Sequence, residues 1–174
     1  MSDVGEALVL TVLVLATCIW VGGYVAIAVV AQAATARTAT AAAEGRRVDL
    51  QLVLAVDASG SVNQYRFELQ QRGYAAAFRN AAVLRAIQSG PTHSIAVTMV
   101  QWTGPAMQQQ AIGWSIVDGQ ASAQDLAARI DAMERRLHGG GTSISGAIDH
   151  AMQLFQRCPF EAERQVIDIS GDGS

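Results

Sequence analysis

Apolar and polar residues alternate in blocks along residues 48–174, and the blocks predict strands that alternate with helices. The run VDLQLVLAVD at 48–57 is almost continuously apolar, which is typical of a central strand covered on both faces. Further strands are predicted within 93–104, 108–117 and 164–173, and helices within 62–80, 81–91, 122–137 and 143–158. This alternation predicts an α/β sheet with helices on both faces.

The helix predicted within 122–137 has the clearest apolar stripe. Ser122 is a candidate N-cap, and three consecutive glycines at 139–141 are expected to end the helix. The stripe consists of Leu126, Ile130, Met133 and Leu137.

The N-terminal part of the chain has a different pattern, since no charged residue occurs from Ala7 to Ala31. About 25 residues at roughly 1.5 Å each are long enough to span a membrane. The small-x-small sequence AQA at 31–33 favours a cleaved signal, whereas the missing basic start favours a retained anchor. We therefore expect a transmembrane or signal segment at 1–33, an Ala/Thr-rich linker at 34–47 and one domain at 48–174. The expected location is membrane-anchored or exported, with the extracytoplasmic side favoured although the Arg residues that follow the segment favour the cytoplasm.

Composition excludes several classes of function. The net charge is −3, and the twelve basic residues are all Arg, without a basic stripe, so nucleic-acid binding is not expected. Cys18 lies in the apolar segment, which leaves Cys158 alone in the predicted domain and rules out a disulfide framework there.

Small oxygen-bearing side chains gather in three predicted loops. The first loop, DASGS, follows the first strand and carries Asp57, Ser59 and Ser61. The second loop, GGGTSIS, leads into the last helix with Thr142, and the third, SGDG, follows the last strand with Asp172. Because ligands bind outside the carboxyl ends of parallel strands, we expect the three loops to converge.

The chemistry of these loops favours a hard divalent cation. A phosphate-binding P-loop needs a lysine, and the chain has none. No G-x-S-x-G nucleophile motif with a marked histidine partner is present, and no His/Cys set suits zinc. Mg²⁺ prefers oxygen ligands and keeps several waters, which suits one or two carboxylates with hydroxyl groups. Mg²⁺ is therefore the expected ion, with Mn²⁺ or Ca²⁺ as alternatives.

The same residues resemble a known family. DASGS matches the D-x-S-x-S signature of von Willebrand factor A (VWA) domains, GGTSISGAI is similar to their threonine loop, and VIDISGDG resembles their fourth strand and terminal aspartate. These stretches of sequence are similar in particular to those of an uncharacterised bacterial group of exported VWA-like proteins. The resemblance implies a Rossmann-like, mostly parallel sheet, here without its C-terminal strands. It places a metal-ion-dependent adhesion site at Asp57, Ser59, Ser61, Thr142 and Asp172.

The resemblance implies a non-enzymatic interaction or adhesion module whose Mg²⁺ receives an Asp or Glu of a protein partner. Two alternatives remain open at the level of sequence. One is a Mg²⁺-dependent phosphate-ester hydrolase, for which no activated nucleophile is evident near Asp57. The other is a metal-free structural component of a membrane complex.

Overall fold

The computed structural model describes residues 45–171. The predicted membrane or signal segment at 1–33, most of the predicted linker at 34–47, and Asp172 lie outside the described residues. In the described part, no helix is both long enough and apolar enough to cross a membrane.

One sheet forms the centre of residues 45–171. Its strands are β1 (Leu50–Asp57), β2 (Ile95–Trp102), β3 (Gln108–Val117) and β4 (Gln165–Ser170), in the spatial order β3-β2-β1-β4. Strand β1 pairs in parallel with β2 and with β4, and β3 runs antiparallel to β2. Strand β2 is buried along its whole length, as expected for a strand with both faces covered.

Helices cover both faces of this sheet. They are α1 (Gln64–Arg79), α2 (Ala81–Ile87), α3 (Gln120–Asp131) and α4 (Ile144–Gln156). On one face, Phe67 of α1 and Leu126 of α3 join one buried apolar cluster with the sheet. On the other face, Phe155 of α4 packs in a cluster with Val53 and Val100. The predicted fold class, a Rossmann-like and mostly parallel sheet with helices on both faces, is confirmed.

Two details of the prediction for α3 are wrong. The N-cap is Gly119 and not Ser122, which is the third residue of the helix. The Ser122 hydroxyl still serves the helix start, because its Oγ accepts hydrogen bonds from the backbone N–H of Asp118 (3.0 Å) and of Gly119 (3.1 Å).

The helix also ends at Asp131, well before the predicted end at Leu137. Two buried glutamines of neighbouring elements satisfy backbone groups at this helix end and beyond it. Gln71 Nε2 donates to the carbonyl groups of Ile130, Asp131 and Met133. Gln101 Nε2 donates to Glu134 O (2.7 Å), and Gln101 Oε1 accepts from Arg136 N (2.7 Å). These tertiary hydrogen bonds replace the intrahelical ones, so a helix-favouring sequence takes an irregular path.

Candidate metal centre

The first predicted loop forms a compact cluster of oxygens at the carboxyl end of β1. Asp57 is only 1 % exposed and Ser59 is fully buried. Asp57 Oδ1 accepts a hydrogen bond from Ser59 N (2.7 Å), and the hydroxyl oxygens of Ser59 and Ser61 lie 3.2 Å apart. The turn closes through Val62 N, which donates to Ser59 O (3.2 Å). The D-x-S-x-S turn therefore holds the Asp57 carboxylate against the backbone of Ser59 and places the two serine hydroxyl groups side by side.

The second loop lies beside the first. Ala58 N donates to Trp102 O at the end of β2 (2.9 Å), and Ser143 N donates to Thr103 O one residue further along (2.8 Å). A Cβ built on Gly60 would lie 3.6 Å from Gly139 Cα, which is ordinary van der Waals contact. The loop that carries Thr142 is thus held against the first loop, and Thr142 itself is exposed.

Three consecutive glycines give this second loop its shape. Gly139, Gly140 and Gly141 have φ angles of +77°, +89° and +80°, in the left-handed region that other residues rarely adopt. A Cβ on Gly104 would also collide with the carbonyl oxygen of Gly140. The glycines were expected to end a helix, but they form the path that leads to Thr142.

The third loop reaches Asp57 from the other side. A Cβ built on Gly171 would lie 3.0 Å from Asp57 Oδ2. Gln70 joins the two strand ends, because its Nε2 donates to Asp57 O (3.1 Å) and its Oε1 accepts from Ser170 Oγ (2.6 Å). The predicted site residue Asp172 follows Gly171 and lies outside the described residues.

Some residues that build the site carried no signal in the sequence. Arg135 Nη2 donates to the carbonyl oxygens of Ala58 (2.9 Å) and Ser59 (3.0 Å), and its guanidinium lies 5.5 Å from the centre of the Phe67 ring. The sequence predicts Arg135 within a regular helix, from which no contact with the first loop is expected. Gln70 lies on a helix as predicted, but only the fold brings it to β4.

The donor set fits a hard cation with an incomplete protein shell. No ion pair described within residues 45–171 involves Asp57, although its carboxylate is buried. In the same range, no group of three or more His, Cys, Asp and Glu side chains is placed to hold a metal ion. The donors at this edge are one described carboxylate and several hydroxyl groups, a combination that suits Mg²⁺ with retained waters.

Comparison with models of protein families places the chain in one family. The family model described as "Protein of unknown function (DUF1194)" matches residues 47–174. The chain belongs to the DUF1194 family. A search of curated proteins found no match to it.

Three of the solved structures that are similar to this DUF1194 chain are structures of bacterial pilus proteins. The vWF domain of the type V pili tip protein Mfa5 from Porphyromonas gingivalis is 14% identical, with a TM-score of 0.44 over 73% of this chain and 38% of that one. A structure of three N-terminal domains of Mfa5 is 15% identical, with a TM-score of 0.43 over 69% of this chain and 19% of that one. The pilus adhesin SpaC from Lactobacillus rhamnosus GG is 15% identical, with a TM-score of 0.45 over 71% of this chain and 16% of that one. The DUF1194 chain thus spans well under half of each of these proteins.

Proposed function

We propose that this DUF1194 domain is a non-enzymatic interaction or adhesion module that holds Mg²⁺ and receives an acidic side chain of a protein partner. The proposed ligand set is the predicted one: Asp57, Ser59, Ser61, Thr142 and Asp172. Mn²⁺ or Ca²⁺ would suit the same oxygens. The observation that carries the proposal is the convergence of three loops around a buried carboxylate that has no ion-pair partner in residues 45–171.

Charge balance explains why a partner carboxylate fits this site. A buried carboxylate without a counter-charge is costly, so Asp57 favours a cation. A bound divalent ion with few direct carboxylates keeps net positive charge and attracts a further anionic ligand. Ser61 and Thr142 are exposed, so the rim of the site is accessible to another protein. The extracytoplasmic location remains a prediction from the uncharged run at 7–31.

Thermal unfolding of the full chain in a mild detergent tests metal binding. We expect Mg²⁺ at about a hundredfold excess over its Kd to stabilise the wild type by about 2.7 kcal/mol, which raises the Tm by several degrees. The Asp57→Asn variant keeps an oxygen for Ser59 N but removes the buried charge. It is expected to melt no lower than the wild type in chelator and to gain nothing from Mg²⁺.

Asp125→Asn is the matched control, because Asp125 lies on α3 with a side chain that is 71% exposed. This variant should respond to Mg²⁺ like the wild type. Equal melting of the wild type in Mg²⁺ and in chelator would contradict the metal site. Hydrolysis of phosphate esters that needs both Mg²⁺ and Asp57 would instead establish the enzymatic alternative. Partner binding that chelator leaves unchanged would favour the metal-free structural role.

A further inference from the structure

Thr103, the first residue after β2, has backbone N–H and C=O groups that are both hydrogen-bonded and a side-chain hydroxyl that is not. Its N–H donates to Met107 O (3.0 Å), and its carbonyl oxygen accepts from Ser143 N (2.8 Å). The residue is fully buried, yet its Oγ1 has no hydrogen-bond partner in the described part of the chain. Buried hydroxyl groups normally have a hydrogen-bond partner, so the unpartnered hydroxyl of Thr103 is an exception that needs a physical reason.

Thr98, within β2, is a buried threonine whose hydroxyl does have hydrogen-bond partners. It is also fully buried, and its Oγ1 donates to Ile112 O (2.7 Å) and accepts from Gln110 Nε2 (2.8 Å). Thr98 lies within β2 and Thr103 directly follows it, and both are fully buried. Only the one at the candidate metal centre lacks a partner.

The Thr103 hydroxyl faces the glycine loop at 139–141. A Cβ built on Gly140 would lie 3.0 Å from Thr103 Oγ1, so the hydroxyl is next to the backbone of that loop. The three glycines can change their φ and ψ angles at low steric cost. The loop is anchored just after Thr142 by the bond between Ser143 N and Thr103 O. A small shift of the glycines would therefore bring a peptide group to the hydroxyl while the anchor stays in place.

We propose that Thr103 is a positioning residue of the metal site. When the cation is bound, the glycine loop settles on Thr103, and the hydroxyl forms a hydrogen bond with the backbone of the loop. This bond fixes the loop that presents Thr142 to the ion. The inference rests on the proposed function, because it assigns a role in holding the cation and not a separate activity.

Titration calorimetry of the full chain with Mg²⁺ alone, combined with urea unfolding in chelator, tests this role. The Thr103→Val variant replaces the hydroxyl by a methyl group of similar size. It should bind Mg²⁺ roughly three- to tenfold more weakly, the equivalent of one hydrogen bond, while its stability in chelator stays the same or rises. Thr103→Ser keeps the hydroxyl and should restore the affinity. A residue with only a structural role would lower stability in chelator and leave the affinity unchanged.

Thr98→Val is the matched control and should show the opposite pattern, with lower stability in chelator and unchanged Mg²⁺ affinity. Equal Mg²⁺ affinity of the wild type and Thr103→Val would overturn the inference and leave the proposed metal site intact. An equal loss of affinity in Thr103→Val and Thr103→Ser would also overturn it, since the hydroxyl would not be the cause. If the wild type itself binds no Mg²⁺, the metal site and the role of Thr103 both fail.

Discussion

Arg135 ties the first loop of the site to the segment 132–137. One guanidinium nitrogen donates to two successive carbonyl groups of the loop, at Ala58 and Ser59, and Nε donates to Leu137 O (3.1 Å). The planar guanidinium also lies over the Phe67 ring. This fork of donors combined with stacking is a geometry that an ammonium group cannot reproduce.

Replacement of Arg135 should therefore weaken both the fold and the site. We expect Arg135→Ala to lower the free energy of unfolding by about 2 kcal/mol, because two carbonyl groups lose their donor and the ring loses its cation. Arg135→Lys should recover only part of this loss. Urea unfolding measures the effect, and Mg²⁺ titration should show weaker binding, since the backbone of Ser59 is no longer fixed.

The neighbouring residue supplies the control for this experiment. Arg136 is exposed, and Arg136→Ala should change stability by no more than about 0.5 kcal/mol. If Arg135→Ala and Arg136→Ala are equally stable, Arg135 does not brace the loop.

At the scale of single residues, the sequence predicted the contacts that depend only on the spacing of residues within one loop. The turn itself places the Asp57 carboxylate against Ser59 N and the Ser59 hydroxyl beside that of Ser61, whereas their binding of a metal ion stays a prediction. Gln70 and Thr103 were not predicted, because their roles depend on neighbours that only the fold supplies.

At the scale of elements, strands and helices followed the apolar pattern except where tertiary hydrogen bonds compete with helix propensity. The apolar run at 48–57 became β1, and the sheet and helices formed in the predicted order. Residues 132–137 favour a helix by composition, yet they follow an irregular path. The apolar stripe still predicted burial correctly, since Met133 is buried and Leu137 packs against the same cluster. Apolar periodicity therefore predicted which side chains are buried, whereas hydrogen bonds from buried glutamines determine the path of the backbone.

The path of residues 132–137 should therefore depend on Gln101. This side chain is fully buried, and its amide satisfies the carbonyl group of Glu134 and the N–H groups of Arg136 and Leu137. Gln101→Met has a similar volume but no polar atoms to offer. We expect it to lower the free energy of unfolding by about 2 kcal/mol and to speed hydrogen exchange at the Arg136 amide.

An exposed glutamine on the edge strand β3 provides the comparison for Gln101. Gln109→Met makes the same chemical change at a residue that is exposed, so its stability should stay close to that of the wild type. Unchanged exchange at the Arg136 amide in Gln101→Met would show that this glutamine does not hold the segment.

At the scale of the whole molecule, the absence of lysine gives a simple alkaline titration. All twelve basic residues are Arg, which keeps its proton at high pH, so few groups titrate above neutral pH besides three tyrosines and two cysteines. Tyr74 lines an apolar groove formed by α1, α2 and the neighbouring strands β1 and β4. Burial raises the pKa of Tyr74 to about 12, with the Asp168 carboxylate acting in the same direction and the Ser170 hydroxyl opposing it.

This shift of the Tyr74 pKa predicts how stability changes in alkali. In the unfolded chain Tyr74 loses its proton near the ordinary value of 10.0, whereas in the folded domain it keeps the proton up to about pH 12. Between these values the folded state binds more protons, so the free energy of unfolding falls as the pH rises.

Urea unfolding from neutral pH to about pH 12 should show a shallower fall in Tyr74→Phe than in the wild type. Tyr65→Phe, at a side chain that is 66% exposed, should follow the wild type. Burial also raises the pKa of Cys158, but this contribution is common to all three proteins. Parallel curves for the wild type and Tyr74→Phe would show that Tyr74 titrates alike in the folded and unfolded chains, and that the groove does not hold it neutral.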